Sequence, residues 1–303
     1  MPDSATVDEG IGPEADFDPE AELARIEAGL DALSTGAQRV RPSSRRIAGA
    51  VLPAVVACGL LLVGWQVVVA AHLQPSYVLP GAIEVGRSLA AQWDSGLLAD
   101  AVWRSLSRAL VGYTVSVLIG TLLGLLVARM RWVRAAVKPV LSALQSLPSV
   151  AWVPAAIMWF GLTDAAVYTV VLLGAVPSVA IGMVTGHDQI PPLYGRVGQI
   201  LGARGLRAAQ LIVLPAALPG YLGGLRQAWA FAWRSLMAAE LITQSPDLGT
   251  GLGQLLDRHR ELSEMDGVLA VIIVILAVGI VVELLLFAPL ERRVLRRRGL
   301  TTR

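Results

Sequence analysis

The chain has 303 residues, of which 55% are hydrophobic and 16% charged, and its mean hydropathy is +0.62. A globular chain carries about 25% charged residues, so a soluble single-core domain is excluded and the sequence is read against a bilayer. The net charge is +2, yet residues 1–24 hold eight acids and no base, which leaves a basic body that would fit nucleic acid until its arginines are placed.

Residues 1–16 are acidic and poor in apolar side chains, too poor to bury a core. They lack the basic start and apolar centre of a cleavable signal. Asp18 is a candidate N-cap with Pro19 at the first helical position. Leu23, Ile26, Leu30 and Leu33 follow at helical spacing and predict a short amphipathic helix. Its narrow stripe suits either a solvated helix resting on its neighbours or a docking helix. A basic linker completes the segment 1–46.

Apolar runs follow at 47–71, 109–128, 139–163 and 165–187, each of 20 to 25 residues without a charged side chain. Two more, 219–242 and 267–290, carry Arg226, Arg234 and Glu240 in the first and Glu283 in the second. Each is long enough for a helix across about 30 Å of hydrocarbon. None alternates as a barrel strand would. The expected fold is all-α, a polytopic membrane protein with six transmembrane helices over residues 47–290 and a basic tail at 291–303. Segments 1–46, 129–138, 186–218 and 291–303 hold five, four, three and six basic residues, whereas 72–108 and 243–266 hold three and two. The positive-inside rule then puts both termini in the cytoplasm, and the arginines need no nucleic acid to explain them. Cys58 is single and His72, His187 and His259 are scattered, so no metal site is expected.

Within the runs, Pro148, Pro154 and Pro177 interrupt helices at lipid depth, where freed carbonyls are tolerated if protein or a water-filled path covers them. Kinked packing and a solute path are both open readings. Trp152, Trp159, Trp229 and Trp233 are read as interfacial or bundle-packing aromatics rather than a ligand cage. Gly120 and Gly124 permit close helix approach. Intramembrane charge is costly and faces a cavity or a partner, so Arg226, Arg234, Glu240 and Glu283 either form internal ion pairs or line the path. Arg226 lies seven residues beyond Pro219 and Glu283 seven before Leu290. Both are then roughly 10 Å deep at 1.5 Å per residue, and the two are expected to pair. Residues 249–253 lack the lysine of a P-loop and read as a flexible turn. No Walker motif occurs in the sequence.

Between the fourth and fifth runs, residues 191–218 are too long for a plain connection. Val197, Ile200 and Leu201 make an apolar helical face that Gly202 ends at a left-handed position. Leu206 to Leu214 can form a second short helix, stopped by Pro215. Such a face packs either on the chain's own helices or on a soluble partner.

Gly202, nine residues and Ile212-Val213-Leu214-Pro215 resemble the second half of the EAA loop of binding-protein-dependent ABC importer permeases. The family pattern runs Glu-Ala-Ala, three residues, Gly, nine residues, Ile-x-Leu-Pro. The first half departs, with Arg196, Val197 and Gly198 at the Glu-Ala-Ala positions. Leu147-Pro148-Ser149-Val150-Ala151-Trp152-Val153-Pro154 with Trp159-Phe160-Gly161 is similar to the third-span signature of the taurine, aliphatic sulfonate and nitrate branch. Pro215-Ala216-Ala217-Leu218-Pro219, Gly224-Leu225-Arg226 and Ala238-Ala239-Glu240-Leu241-Ile242 look like the matching fifth-span segment.

The resemblance implies a MetI-like importer permease in a bacterial inner membrane. It makes Arg196, Val197, Gly198, Ile200, Leu201, Gly202, Ile212, Leu214 and Pro215 the coupling loop that seats on cytoplasmic ABC ATPase subunits. It also implies a homodimer of this chain, an extracytoplasmic solute-binding protein, and a small solute such as a sulfonate, taurine or nitrate-like anion. This chain would bind no cofactor, ATP and magnesium being held by the ATPase, and would perform no covalent chemistry. Candidate path or intramembrane-charge residues are Pro148, Trp152, Pro154, Arg226, Arg234, Glu240 and Glu283. The alternatives are an ion-coupled secondary transporter, which leaves the loop unexplained, and a permease of the same class for another small solute.

Overall fold

In a computed structural model of the chain, the described residues are 23, 44–71, 75, 77–200, 202–203, 205–245 and 248–297. The expected helix at 18–33, apart from Leu23, and Leu201, Arg204 and residues 298–303 lie outside them. Among the described residues the secondary structure is helical, with no strand. Contacts divide the chain into two units, Met1–Leu62 and Val63–Arg303. The first unit contributes the beginning of α1, Ser44–Ala70, a helix with Pro53 in its interior. The remaining helices belong to the second.

These are α2 (Ala82–Asp94), α3 (Leu97–Arg129), α4 (Arg131–Ser146), α5 (Val153–Phe160), α6 (Asp164–Asp188), α7 (Pro192–Ile200), α8 (Gly205–Ala208), α9 (Leu214–Ile242), α10 (Leu252–Glu261), α11 (Met265–Val282) and α12 (Ala288–Arg297). Wide π-type turns at Ala209–Val213 and Glu283–Phe287 join α8 to α9 and α11 to α12.

Helix α6 is the centre of the bundle. Val167, Val170, Val171, Ala175, Val179, Ala180, Met183 and Val184 are all buried. A row of small residues on α3, Gly112, Ser116, Gly120 and Gly124, recurs every fourth position and faces α6. A Cβ at Gly112, Gly120 or Gly124 would strike Val171, Val179 or Met183 respectively, so the two helices run parallel in close contact. On its other side α6 meets α9 antiparallel. There a Cβ on Gly182 would lie 2.5 Å from the Gly224 Cα, and Gly174 and Gly186 abut Ser235 and Ala217.

These directions sort the helix ends. Arg129, Asp188, Leu214 and the loop between α6 and α9 lie at one end of the bundle. Leu97, Asp164, Ile242 and residues 248–253 lie at the other. Arg226, in the first half of α9, reaches Glu283 and Glu291, so the C-terminal helix belongs to the loop end.

Among the described residues, three helices are long and apolar enough to cross a membrane: Leu97–Arg129, Asp164–Asp188 and Met265–Arg296. The run expected at 139–163 is not one straight rod: Arg131–Ser146 and Ser149–Phe160 are bent by 99° and count as a fourth crossing only when taken together. Pro148 is the cause. Leu147 takes extended angles (φ −75°, ψ 130°) because the following ring disfavours the helical region, and the missing Pro148 N–H leaves no ladder to rebuild. Pro154 falls in the first turn of α5, where a missing N–H is harmless. Pro215 requires a second correction: it does not stop a helix but starts one, in the first turn of α9. The fifth long helix therefore begins at Leu214 instead of 219 and carries Pro219 in its interior. Its 29 residues span roughly 43 Å at 1.5 Å per residue.

Candidate functional site

At the loop end, α7 presents Leu193, Tyr194, Val197 and Ile200 to the outside, Ile200 being 84% exposed. Gly202 has φ +76°, the left-handed position expected of it. Past that turn the Ala203 N–H donates to the Gly198 carbonyl (2.9 Å), the six-residue closure that satisfies a helix's last carbonyls. Ile212 then folds back onto Gly198, where a Cβ would meet its Cδ1. This gives a local reason for the glycine at a position where the family pattern has alanine. Tyr194, Val197, Gly198, Leu211, Ile212, Pro215 and Ala216 line a shallow cavity of about 270 Å³. Arg196 is exposed beside it. The Arg129 guanidinium donates to the Gly205 carbonyl (2.8 Å), and Arg134 grips Asp188 at 2.7 and 2.5 Å. The loop is thereby tied to the ends of α3, and α4 is tied to the end of α6.

The charges carried by the fifth and sixth apolar runs separate into three environments. Arg226 Nη2 stands 2.5 Å from Glu283, with Glu291 at 3.7 Å from Nη1. The expected pair forms. Arg234 is exposed; its Nε donates to the Ala230 carbonyl (3.0 Å) and its guanidinium lies 4.7 Å from the Phe231 ring centroid. Glu240 is fully buried at the opposite end. It accepts from the Ser105 hydroxyl (2.6 Å), Arg108 Nη1 (3.2 Å) and the Gly253 N–H (3.1 Å). The same Arg108 donates to Asp164 (2.9 Å) and to the Leu248 carbonyl (2.5 Å), and Ser105 accepts from the Leu252 N–H (2.8 Å). Glu240 therefore sits in an internal ion pair with its carboxylate occupied, not on an open path.

The segment 249–253 needs correcting for the same reason. It is a fitted strap rather than a flexible turn, since Gly251 and Gly253 lie against the Glu240 side chain too closely for a Cβ. Sequence reasoning missed Ser105, Arg108 and Asp164. Arg108 stands one residue before an apolar run and Asp164 between two runs, so both read as boundary charges. Their shared end of the membrane was the available signal.

Trp229 and Trp233 are buried and stacked with centroids 6.2 Å apart, and Tyr113 meets Trp229 edge-on at 5.4 Å. These two tryptophans pack the bundle. Trp152 is half-buried against the same core, next to the Pro148 bend, whereas Trp159 is exposed. Pro148, Trp152 and Pro154 thus share one bend, and Gln145 just before it donates to Ser178 of α6 (2.8 Å).

Comparison with known proteins places this architecture. Residues 117–296 match the family described as "Binding-protein-dependent transport system inner membrane component". The taurine transport system permease protein TauC of Escherichia coli is 29% identical over 77% of this chain and 85% of its own length. The nitrate import permease protein NrtB of a Synechocystis species is 26% identical over 67% and 74%. The riboflavin transport system permease protein RibX of Chloroflexus aurantiacus is 32% identical over 74% and 83%. With more than half of its length matched, the chain belongs to the binding-protein-dependent transport system inner membrane components, the permease subunits of ABC importers.

Proposed function

We propose that this permease crosses the inner membrane six times with both termini in the cytoplasm, and that it pairs with a second copy and two ATPase subunits to import a small anion. Residues 47–290 form the permease domain, flanked by the cytoplasmic segments 1–46 and 291–303. An extracytoplasmic binding protein delivers the solute. ATP and magnesium reside on the ATPase, whose closure moves residues 191–218, and this chain holds no nucleotide. The observation that carries the reading is the exposed apolar face of α7 ahead of Gly202, locked by the Gly198–Ala203 bond and backed by Ile212. An apolar surface outside the bilayer and outside the bundle core is a docking surface.

The solute is a sulfonate, taurine or nitrate-like anion. Arg234 supports this, since it is exposed on a long apolar helix and no carboxylate among the described residues pairs with it. A guanidinium in that setting lowers the barrier for an anion. The riboflavin relative favours a second reading, in which a permease of the same class carries another small solute. Proteoliposomes holding this chain, its ATPase and its binding protein decide the matter. Uptake should need ATP and binding protein together, and uptake that persists with a hydrolysis-dead ATPase refutes the mechanism. Screening the binding protein with taurine, nitrate and riboflavin assigns the solute.

A further inference from the structure

The π-type turn Glu283–Phe287 and the start of α12 open a cavity of about 460 Å³. Leu284, Ala288 and Pro289 line one part of it, and Arg292, Arg293 and Arg296 the other. The three arginines are exposed, and no carboxylate among the described residues stands within salt-bridge distance of any of them. The nearest acid in sequence, Glu291, is turned to Arg226 instead. Leu284, Leu285 and Leu286 are exposed just before the basic helix. One cavity therefore joins an apolar wall to three guanidiniums without a carboxylate partner among the described residues, at the end of a long apolar helix and on the side of the bundle that carries the α7 loop.

We infer that this cavity is a binding site for one anionic glycerophospholipid, its phosphodiester held by Arg292, Arg293 and Arg296 and its glycerol and upper acyl chain laid against Leu284 and Pro289. Guanidinium forks match phosphate oxygens in charge and geometry. Basic clusters next to the ends of spans attract acidic headgroups. A second copy of this chain is a poorer occupant, because a twofold contact here would bring three more arginines against the first three. A free phosphate ion would leave the apolar wall uncovered. The inference needs only membership of the inner-membrane family and not the identity of the solute.

The test is native mass spectrometry of the full chain, with whichever subunits accompany it, equilibrated with equal amounts of phosphatidylglycerol and phosphatidylcholine. One phosphatidylglycerol per protomer should be retained in preference. Arg292→Gln, Arg293→Gln and Arg296→Gln together should reduce that preference by about fivefold per arginine, roughly a hundredfold in all. The corresponding three lysine substitutions should keep most of it. Ala288→Phe fills the floor without changing charge and should release the lipid as well. Equal retention of the two lipids, or undiminished preference in Ala288→Phe, overturns the site, the latter by showing diffuse surface charge only. Displacement by millimolar inorganic phosphate would make it a free-anion site and equally overturn the lipid assignment. If the glutamine variant is not recovered, Ala288→Phe and the lysine variant decide alone.

Discussion

Glu240 has no exposed surface and three donors, and Arg108 divides its guanidinium among two carboxylates and a carbonyl. A buried ion pair is weak evidence of net stabilisation, but removing one member leaves the other charge stranded, at about 3–5 kcal/mol. Glu240→Gln and Arg108→Ala should therefore each lower the melting temperature of the detergent-solubilised chain strongly. The double variant should lose less than the two losses added. Asp164 is half-exposed on the rim of the cluster, so Asp164→Asn should cost far less. Additive losses would show that the two charges act separately.

Gly202 poses the other question at this scale. A β-branched side chain at φ +76° is strained by about 1–2 kcal/mol per residue. The strain falls on the turn that sets α7 against Ile212. Gly202→Val should let the chain insert while ATP hydrolysis continues without matching uptake, or while the ATPase dissociates. Arg196→Glu, at an exposed position, should be tolerated. Transport by Gly202→Val at the normal rate per ATP would remove the coupling role from this loop.

Among the elements, α3, α6 and the last long helix were legible as uninterrupted apolar runs, and so was the left-handed turn at Gly202. What was not legible depended on neighbours. Pro215 looks like a stop in sequence, yet the π-type turn before it feeds straight into α9, so the proline lands in a first turn where its missing N–H costs nothing. The partner of Glu240 could not be read because Arg108 lies 132 residues away, at the edge of a run. Arg226 and Glu283 could be matched by depth, since both sit a fixed number of turns from the same end. Their side chains are 53% and 31% exposed in the single chain. On the proposed topology both lie roughly 10 Å inside the membrane, where their exposed surface meets lipid and not water. A double-mutant cycle on Arg226→Ala and Glu283→Ala should therefore return a coupling above the roughly 1 kcal/mol of a solvated pair. A coupling near zero would show that the pair sits in water and not at membrane depth.

Taken as a whole, the bundle has a stiff part and a compliant one. Helices α3, α6 and α9 meet through glycines with no room for a methyl group, so they move together. The 99° bend at Pro148 is where α4 and α5 can change their mutual angle. Pro148→Ala restores a donor and relieves the restriction on Leu147. It should slow uptake in proteoliposomes severalfold while leaving the melting temperature nearly unchanged, because the α3–α6–α9 contacts are untouched. A large fall in melting temperature with uptake intact would assign the bend to stability and not to movement.

The strap over Glu240 carries a consequence for solvent exchange. The Leu252 and Gly253 amides sit at the very start of α10, where first-turn N–H groups ordinarily face water. Here they donate to Ser105 and Glu240, both fully buried. In deuterated buffer these two amides should exchange as slowly as the interior of α6, hours behind the neighbouring Thr250. Their opening rate then clocks how often the far end of the bundle comes apart. If that rate rises when ATP is supplied to the assembled complex, motion begun at the α7 loop reaches the opposite end of the bundle along α9.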